Sequence, residues 1–327
     1  MGNSNLKTLS EIFNEKVFKV PDYQRGYSWG EQQLEDLWRD IHNLALGKLH
    51  YTGMLTVDIQ NHKVYHVIDG QQRLTSLIIF IKNILDNFDG EWISEIKKDK
   101  VIDKYLYEET QNKNPQIKFG YYEDNPSFYF YKTTILNIKD KVNKNFETTL
   151  YTDNLDFSNN FFRKKIKKKS QEELEELFIK ITNQLKFNWY EIEKTDDLDE
   201  YVIFETMNNR GKPLSVLEIL KNRLIYITTL FDNEDNEKTK LRDDINDVWK
   251  TIFEYLGKDK KMDKDFFLKY HVVMYWGNAF DKTETFHKNY LLNAFFTIQK
   301  ILNEKKEIYV KAFDFIEKFE KLSKKIV

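Results

Sequence analysis

The chain contains no cysteine, and only 4 prolines and 11 glycines in 327 residues. The missing cysteine excludes disulfides, thiolate catalysis and every cysteine-based zinc or iron–sulfur centre, and it suits a reducing compartment. So few prolines and glycines leave little to interrupt helices, so long helices and few Pro/Gly-rich linkers are expected. An excess of charge of one sign is also missing, since 51 Lys+Arg face 53 Asp+Glu for a net of −2. Phosphate binding needs a concentrated positive field, so a uniformly basic nucleic-acid coat is excluded and any basic surface must be local. The most apolar stretch, Leu74 to Leu85, carries Lys82 and falls short of the roughly 20 residues that cross a bilayer. The opening MGNSNLKTLSEIFNE has no apolar segment of signal-peptide length, so a soluble, cytoplasmic protein with no membrane partner is expected. None of the six histidines forms an H-E-x-x-H site, and no G-x-x-x-x-G-K-[ST] or G-x-S-x-G occurs, so a zinc centre, a P-loop and a nucleophile elbow are not expected.

What is present is core material: 41% hydrophobic and 15% aromatic residues, in a length that holds one large domain or two ordinary ones. Up to about Gly90 the chain mixes strand and helix patterns. Glu31 to Leu46 places Leu34, Leu37, Trp38, Ile41, Leu44 and Ala45 on one helical face, and Gly47 stops it. Tyr51 to Ile59 and Lys63 to Ile68 read as a hairpin, and Leu74, Leu77, Ile78, Ile81, Ile84 and Leu85 as an amphipathic helix. From Ile93 to about Asn160 no clean period survives, so short helices and loops are expected. The basic run Arg163 to Lys169 precedes a helical pattern over Gln171 to Asn183 and a strand over Leu185 to Ile192. Helices are then expected over Leu198 to Met207, Ser215 to Leu230, Leu241 to Leu256, Asp265 to Phe280, Thr285 to Leu302 and Lys311 to Lys325, so that the last third is nearly all α.

Three segments carry residues suited to chemistry. In VYHVIDGQQRLTSL, Val64 to Leu77, a strand runs out at Ile68, Asp69-Gly70 turns, and a helix opens at about Gln71. A helix N-terminus presents backbone N–H groups and a positive dipole end to an anion. Gly70 lets a phosphate approach the backbone, Arg73 offers a fork of donors, and Asp69 can hold Mg²⁺ or orient a water. Gln71 and Gln72 add neutral donors and acceptors. Equally, Asp69 and Gln72 have nearly the spacing of a capping box, with no ligand implied. The second segment, Phe18 to Trp29, sets Tyr23, Gln24 and Arg25 beside Tyr27 and Trp29, which suits either a stacked base or an aromatic hinge. The third, Tyr201 to Asn222, holds a polar Asn208-Asn209-Arg210-Gly211 turn, followed by Ser215 as N-cap and Glu218 as its box partner. In the basic run, Lys164, Lys165, Lys167 and Lys168 could follow a phosphate backbone or form a solvated loop.

Taken in order, Y-Q-R-x-Y-x-W, I-D-G-Q-Q-R-L-T-S-L and F-E-x-x-N-x-R-G-x-x-L resemble one family. It is the N-terminal domain of GmrSD-type modification-dependent restriction systems, which is similar also to the phosphorothioate-sensing SspE proteins. The resemblance implies an α+β fold, a ParB/sulfiredoxin-like α/β core followed by a mostly α-helical domain. Residues 1–90 with about 184–222 would form the core, 91–183 a variable insertion and 223–327 the helical domain. It also implies binding and hydrolysis of a nucleoside triphosphate (GTP, CTP, UTP or ATP) with Mg²⁺. Carried over by position, Asp69, Gln72 and Arg73 would be catalytic, with Asp69 at the metal. Gly70, Gln71, Tyr23, Gln24, Arg25, Asn208, Arg210 and Gly211 would bind the nucleotide. Implied partners are modified DNA and an HNH-type nuclease domain or subunit, and a homodimer is allowed. This chain carries no histidine-centred D-H nuclease motif, so DNA cleavage is not expected of it, and the nuclease is expected in a separate subunit or further along a longer protein. The competing reading is a modified-DNA-binding module without NTPase activity, with Tyr23, Tyr27 and Trp29 lining the pocket. A duller one uses the helices from Asp265 to Lys325 as a protein-interaction scaffold.

Overall fold

A computed structural model describes residues 5–21, 24–59, 63–110, 115–123, 125–139, 148–192, 215–231, 235–258, 263–276, 291–297, 300 and 303–323. Two compact units divide the chain: Met1–Asp22 with Gly26–Lys194, and Tyr23–Arg25 with Thr195–Val327.

The first unit is built on a mixed six-stranded sheet. Its strands are β1 (Leu6–Thr8), β2 (Val17–Lys19), β3 (His50–Ile59), β4 (Val64–Asp69), β9 (Phe119–Gly120) and β10 (Leu185–Ile192), in the order β1-β10-β3-β4-β2-β9. The expected hairpin is present as the antiparallel β3–β4 pair. The strand expected at 185–192 enters parallel to β3 and antiparallel to β1. Side chains alternate across a strand. Phe18 and Val20, Leu55 and Val57, Tyr65 and Val67, and Phe187 and Trp189 all turn into one apolar core. Val17, Lys19, Thr56, Asp58, His66 and Ile68 therefore take the opposite face.

Helices α1 (Leu9–Ile12), α2 (Glu31–His42), α3 (Gln71–Asn87), α4 (Lys98–Tyr105), α5 (Phe128–Phe130), α6 (Leu150–Ile166) and α7 (Gln171–Ile179) supply the rest. Between α3 and α5 run the two-residue strands β5 (Trp92–Ile93), β6 (Ile96–Lys97), β7 (Tyr107–Glu108) and β8 (Gln116–Ile117), paired β5–β6 and β7–β8. Helix α2 stops at His42 with Asn43 as its cap, short of the expected Leu46, and the left-handed Gly47 follows (φ +79°). Helix α3 is buried on every side, including Thr75, Ser76, Lys82 and Asn83. A helix with one apolar face was expected; instead, polar side chains on its second face bond within the core. The Asn83 side-chain amide donates to Asn159 Oδ1 of α6 at 2.8 Å.

Helix α6, 17 residues long, runs through a stretch in which only short helices and loops were expected. Its start is fixed by Thr149, whose hydroxyl accepts from the Thr152 amide at 3.2 Å, and Leu155, Phe162 and Ile166 enter the main core. Asn, Asp and Thr dilute its apolar period, which hides the helix from a periodicity count.

The second unit has its own core, gathered from α8 (Val216–Leu230), α9 (Asp235–Lys258), α10 (Lys264–Trp276), a π-helical turn over Leu291–Phe295 and α11 (Lys305–Ser323). Among the described residues the last third is α as expected; of the helix expected over 285–302, residues 291–295 form that π turn and 300 is helical, while 285–290, 298–299 and 301–302 lie outside the described ones, as do 198–207. Ser215 caps α8 in the expected box: its hydroxyl accepts from the Glu218 amide, and Glu218 Oε2 takes the Ser215 N–H at 2.8 Å. Val216, Leu217 and Leu220 belong to this second core, whereas 91–183 packs in the first unit with α4, α6 and α7. Of the aromatics between 265 and 325, Phe267, Phe296 and Phe319 are buried, while Phe266 and Tyr270 are exposed.

Candidate functional site

The turn from β4 into α3 is shaped by two irregularities that polar side chains alone do not reveal. At the first, Thr56 of β3 pairs with Asp69 while the next residue, Val57, pairs with Val67, so β4 carries one extra residue. Such a bulge re-aims the side chain after it. Without it, Asp69 would follow Val67 toward the core; with it, Asp69 stands opposite Thr56, on the second face of the sheet.

The second irregularity is Gly70, in the left-handed region at φ +89°. A Cβ there would meet Leu55 Cδ1 at 2.9 Å and the Met54 carbonyl oxygen at 3.0 Å, so both conformation and space demand glycine. Gly70 is the N-cap of α3 and has no side chain to offer; the intrahelical ladder opens with the Leu74 amide on the Gly70 carbonyl at 3.0 Å. The capping box suggested by Asp69 and Gln72 is not formed. Asp69 ends the strand, and the Gln72 amide is used elsewhere. The positive end of a 17-residue helix is thus presented at a glycine turn beside a carboxylate.

Arg73, in the first turn of α3, lies against the backbone of β3. A Cβ on Gly53 (φ +123°) would fall 2.8 Å from Arg73 Nη1 and 3.1 Å from Cζ, so the glycine leaves room for the guanidinium. Gly53 gave no signal in the sequence; only the left-handed backbone and the arginine packed on it explain it.

Gln72 holds the second segment in place. Its Oε1 accepts from the Ser28 amide at 2.7 Å, and its Nε2 donates to the Gly26 carbonyl at 3.2 Å. Tyr27 adds a hydroxyl contact to Ser76 Oγ at 2.7 Å and another to Ser158 Oγ at 3.2 Å. Burial pushes that phenol up to about 12, partly offset by the two serines. Tyr27 and Trp29 are core residues, and Gly26 gives its space to the Tyr151 ring. The aromatic-hinge alternative therefore describes Tyr27 and Trp29. Tyr23 lies outside the described residues, as do Asn208, Arg210 and Gly211.

Arg25 belongs to the second unit. Its Nε stands 3.1 Å from Glu218 Oε1, and Lys264 Nζ reaches the same oxygen at 3.5 Å. Burial works to raise the Glu218 carboxyl, but Lys264, Arg25 and the Ser215 hydrogen bonds together hold it below the usual carboxylate range. Burial alone drives the neighbouring Lys221 amine far below the lysine range, with Glu218 opposing. Arg25 is thus neither solvated nor lying loose among aromatic rings. Gln24, beside it, is half-buried.

The sequence profile of the GmrSD restriction endonuclease N-terminal domain matches residues 9–225 of the 327. The chain belongs to that family. Among curated proteins, none matches it. As a GmrSD N-terminal domain it is a restriction-system module, and the matched stretch takes in the β4–α3 turn, the segment clamped by Gln72 and the Ser215–Glu218 cap. No helix among the described residues is long and apolar enough to cross a membrane.

Metal and DNA chemistry were expected at two places in this GmrSD domain. Among the described residues no three His, Cys, Asp or Glu side chains gather as a metal cage. Among the described residues Asp69 is the carboxylate at the turn, and one carboxylate fits Mg²⁺ where phosphate oxygens and waters complete the shell. The basic run covers the last turn of α6, Arg163–Ile166, and the turn after it, Lys167–Lys169. Lys165 is tied to Glu35 Oε1 of α2 at 2.6 Å and lies over the Trp38 and Phe161 rings, whereas Lys164, Lys167 and Lys168 are exposed.

Proposed function

We propose that this module binds and hydrolyses a nucleoside triphosphate with Mg²⁺ and thereby regulates a modification-dependent DNA restriction nuclease carried by another domain or subunit. The observation that carries this reading is the β4–α3 turn, where a glycine-only conformation, a helix N-terminus, a re-aimed Asp69 and a backbone-packed Arg73 stand together. Backbone N–H groups at the helix start and the Arg73 guanidinium would take the phosphate oxygens, since both are fixed donors that need little reorganisation. Mg²⁺ would neutralise charge on the transferred phosphoryl group, with Asp69 as its protein ligand or as the group that orients the attacking water. Gln71 begins the same helix turn. Gln72 acts through position: by holding Gly26 and Ser28 it fixes the segment after Arg25 on α3. The exposed Lys164, Lys167 and Lys168 would add a local, salt-sensitive contact to DNA.

The test is phosphate release from GTP, CTP, UTP and ATP with Mg²⁺, comparing wild type with Asp69→Ala and Arg73→Ala. The expected result is measurable turnover of at least one nucleotide, reduced to background by either change. Equal rates in all three proteins would reject the enzymatic reading. The modified-DNA alternative loses two of its three aromatic residues to the core, because Tyr27 and Trp29 are buried.

A further inference from the structure

The second face of the sheet carries a row of polar side chains that the nucleotide reading does not use. Lys19 of β2 pairs with His66 of β4, and His66 pairs with Asp58 of β3, so the three stand side by side across adjacent strands. Their neighbours on those strands, Phe18, Tyr65 and Val57, fill the core on the other side. A sheet face needs no ionisable row for stability, and half-burying one costs desolvation.

Two of these groups, Lys19 and His66, can donate, while Asp58 is the carboxylate at the far end of the row. His66 Nε2 lies 2.5 Å from Tyr122 Oη, with the two rings edge to face. Burial holds His66 below its ordinary range against the pull of Asp58, which favours the neutral imidazole. A neutral imidazole that accepts the tyrosine proton at Nε2 carries its own proton on Nδ1 and presents it as a donor, a tautomer assigned from this hydrogen bond. Lys19 has three N–H donors. Its hydrogen bond among the described residues goes to the Tyr121 carbonyl at 3.3 Å, and its Nζ lies 5.8 Å from the Tyr122 ring centre. Burial pulls this amine below the lysine range, with the Glu123 charge opposing. A half-buried ammonium with unspent donors beside a second N–H donor is suited to an anion with several acceptor oxygens.

We propose that Lys19, His66 and Tyr122 form an anion-binding position on the second sheet face, which takes a phosphoryl group of a nucleotide. The position lies on the face to which the bulge turns Asp69, three residues along β4 from His66, or about 10 Å at strand spacing. It rests on the nucleotide reading for the identity of its ligand, but not for its ability to bind an anion. Lys19 supplies the charge, His66 a directional donor, and Tyr122 fixes the His66 tautomer.

Calorimetric titration with pyrophosphate and with GTP, on wild type, Lys19→Met, Lys19→Arg and Arg73→Ala, tests the proposal. Lys19→Met keeps an apolar stem of similar length and should weaken both ligands about tenfold, as loss of one charge-assisted hydrogen bond does. Lys19→Arg should retain most of the affinity. Undiminished binding of both ligands by Lys19→Met overturns the proposal, and if Arg73→Ala alone weakens them the turn site survives without it. Pyrophosphate binding that depends on Lys19 but not on Arg73 supports the anion position and removes the turn site. An effect of Lys19→Met confined to duplex DNA reassigns the position to a phosphate backbone and overturns the nucleotide assignment. In the unmutated protein, His66 imidazole resonances should move on saturation with pyrophosphate, and unmoved signals also overturn it.

Discussion

Arg73 rests its guanidinium on Gly53, so closely that a methyl group there would come within 2.8 Å of Nη1. The backbone of β3 thus supports the arginine from beneath, and only a residue without a side chain lets the two come so near. Gly53→Ala should therefore damage the site twice. The strained φ of +123° should cost about 1–3 kcal/mol of stability in urea unfolding, and displacement of Arg73 should weaken nucleotide binding. A variant that unfolds at the wild-type urea midpoint would show that the close approach is not tight.

Gln72 separates structure from chemistry. In Gln72→Met the Ser28 amide loses its acceptor in a buried place, which should cost about 1–3 kcal/mol. The deficit should appear in thermal melts without any nucleotide present. If Gln72→Met melts like wild type yet hydrolyses nothing, the side chain acts on substrate instead of on the Gly26–Ser28 segment.

Glu218 makes the second unit sensitive to acid. Its folded carboxyl is held below the unfolded value of 4.5, so protons bind the unfolded state more readily, and the stability it contributes is fully present above that value. That contribution should fade as the pH falls below 4.5 toward the lower folded value. Glu218→Gln removes this dependence and leaves Arg25 and Lys264 without their carboxylate, at a cost of about 3–5 kcal/mol if the cluster stays dry. Unfolding curves between neutral and acid pH, with and without the substitution, report both effects.

The basic run around the end of α6 should divide by role. Lys164→Ala, Lys167→Ala and Lys168→Ala, combined, should lower the slope of log affinity for duplex DNA against log salt by about 0.9 for each phosphate that is no longer neutralised, with little change in stability. Lys165→Ala should instead loosen α6 from α2, because its ammonium is already paired with Glu35. An unchanged salt slope in the triple variant would remove this surface from DNA binding.

Much of the framework is legible in the residues. Alternation in 51–59 and 63–68 marks the hairpin, and Ser215 with Glu218 marks the start of α8, because both depend on neighbours in sequence. Less visible is anything settled by partners far along the chain. Nothing local distinguishes Gly53 from a loop glycine, since the reason for it is an arginine twenty residues later. Gln72 reads as a ligand for substrate or as a capping residue, and its actual partners lie more than forty residues earlier. Asp69 stands out at the β4–α3 turn, but the extra residue in β4 that aims it follows from strand register, which periodicity alone does not set. Helix α6 is hidden because its buried face includes Thr152, Ser158 and Asn159, which bond inside the fold instead of facing water.

The parallel pairing of β10 with β3 has a consequence for how the protein is made. His50 and Leu185 are register partners, so β3 leaves the ribosome well over a hundred residues before the strand that covers its free edge. At roughly 5–20 residues per second the hairpin waits many seconds with open N–H and C=O groups along that edge. Any fragment ending before Leu185 would carry the exposed edge permanently and should pair with other copies. A soluble, minimal version of the first unit must therefore extend through β10, even though the glycine turn that motivates making it is finished a hundred residues earlier.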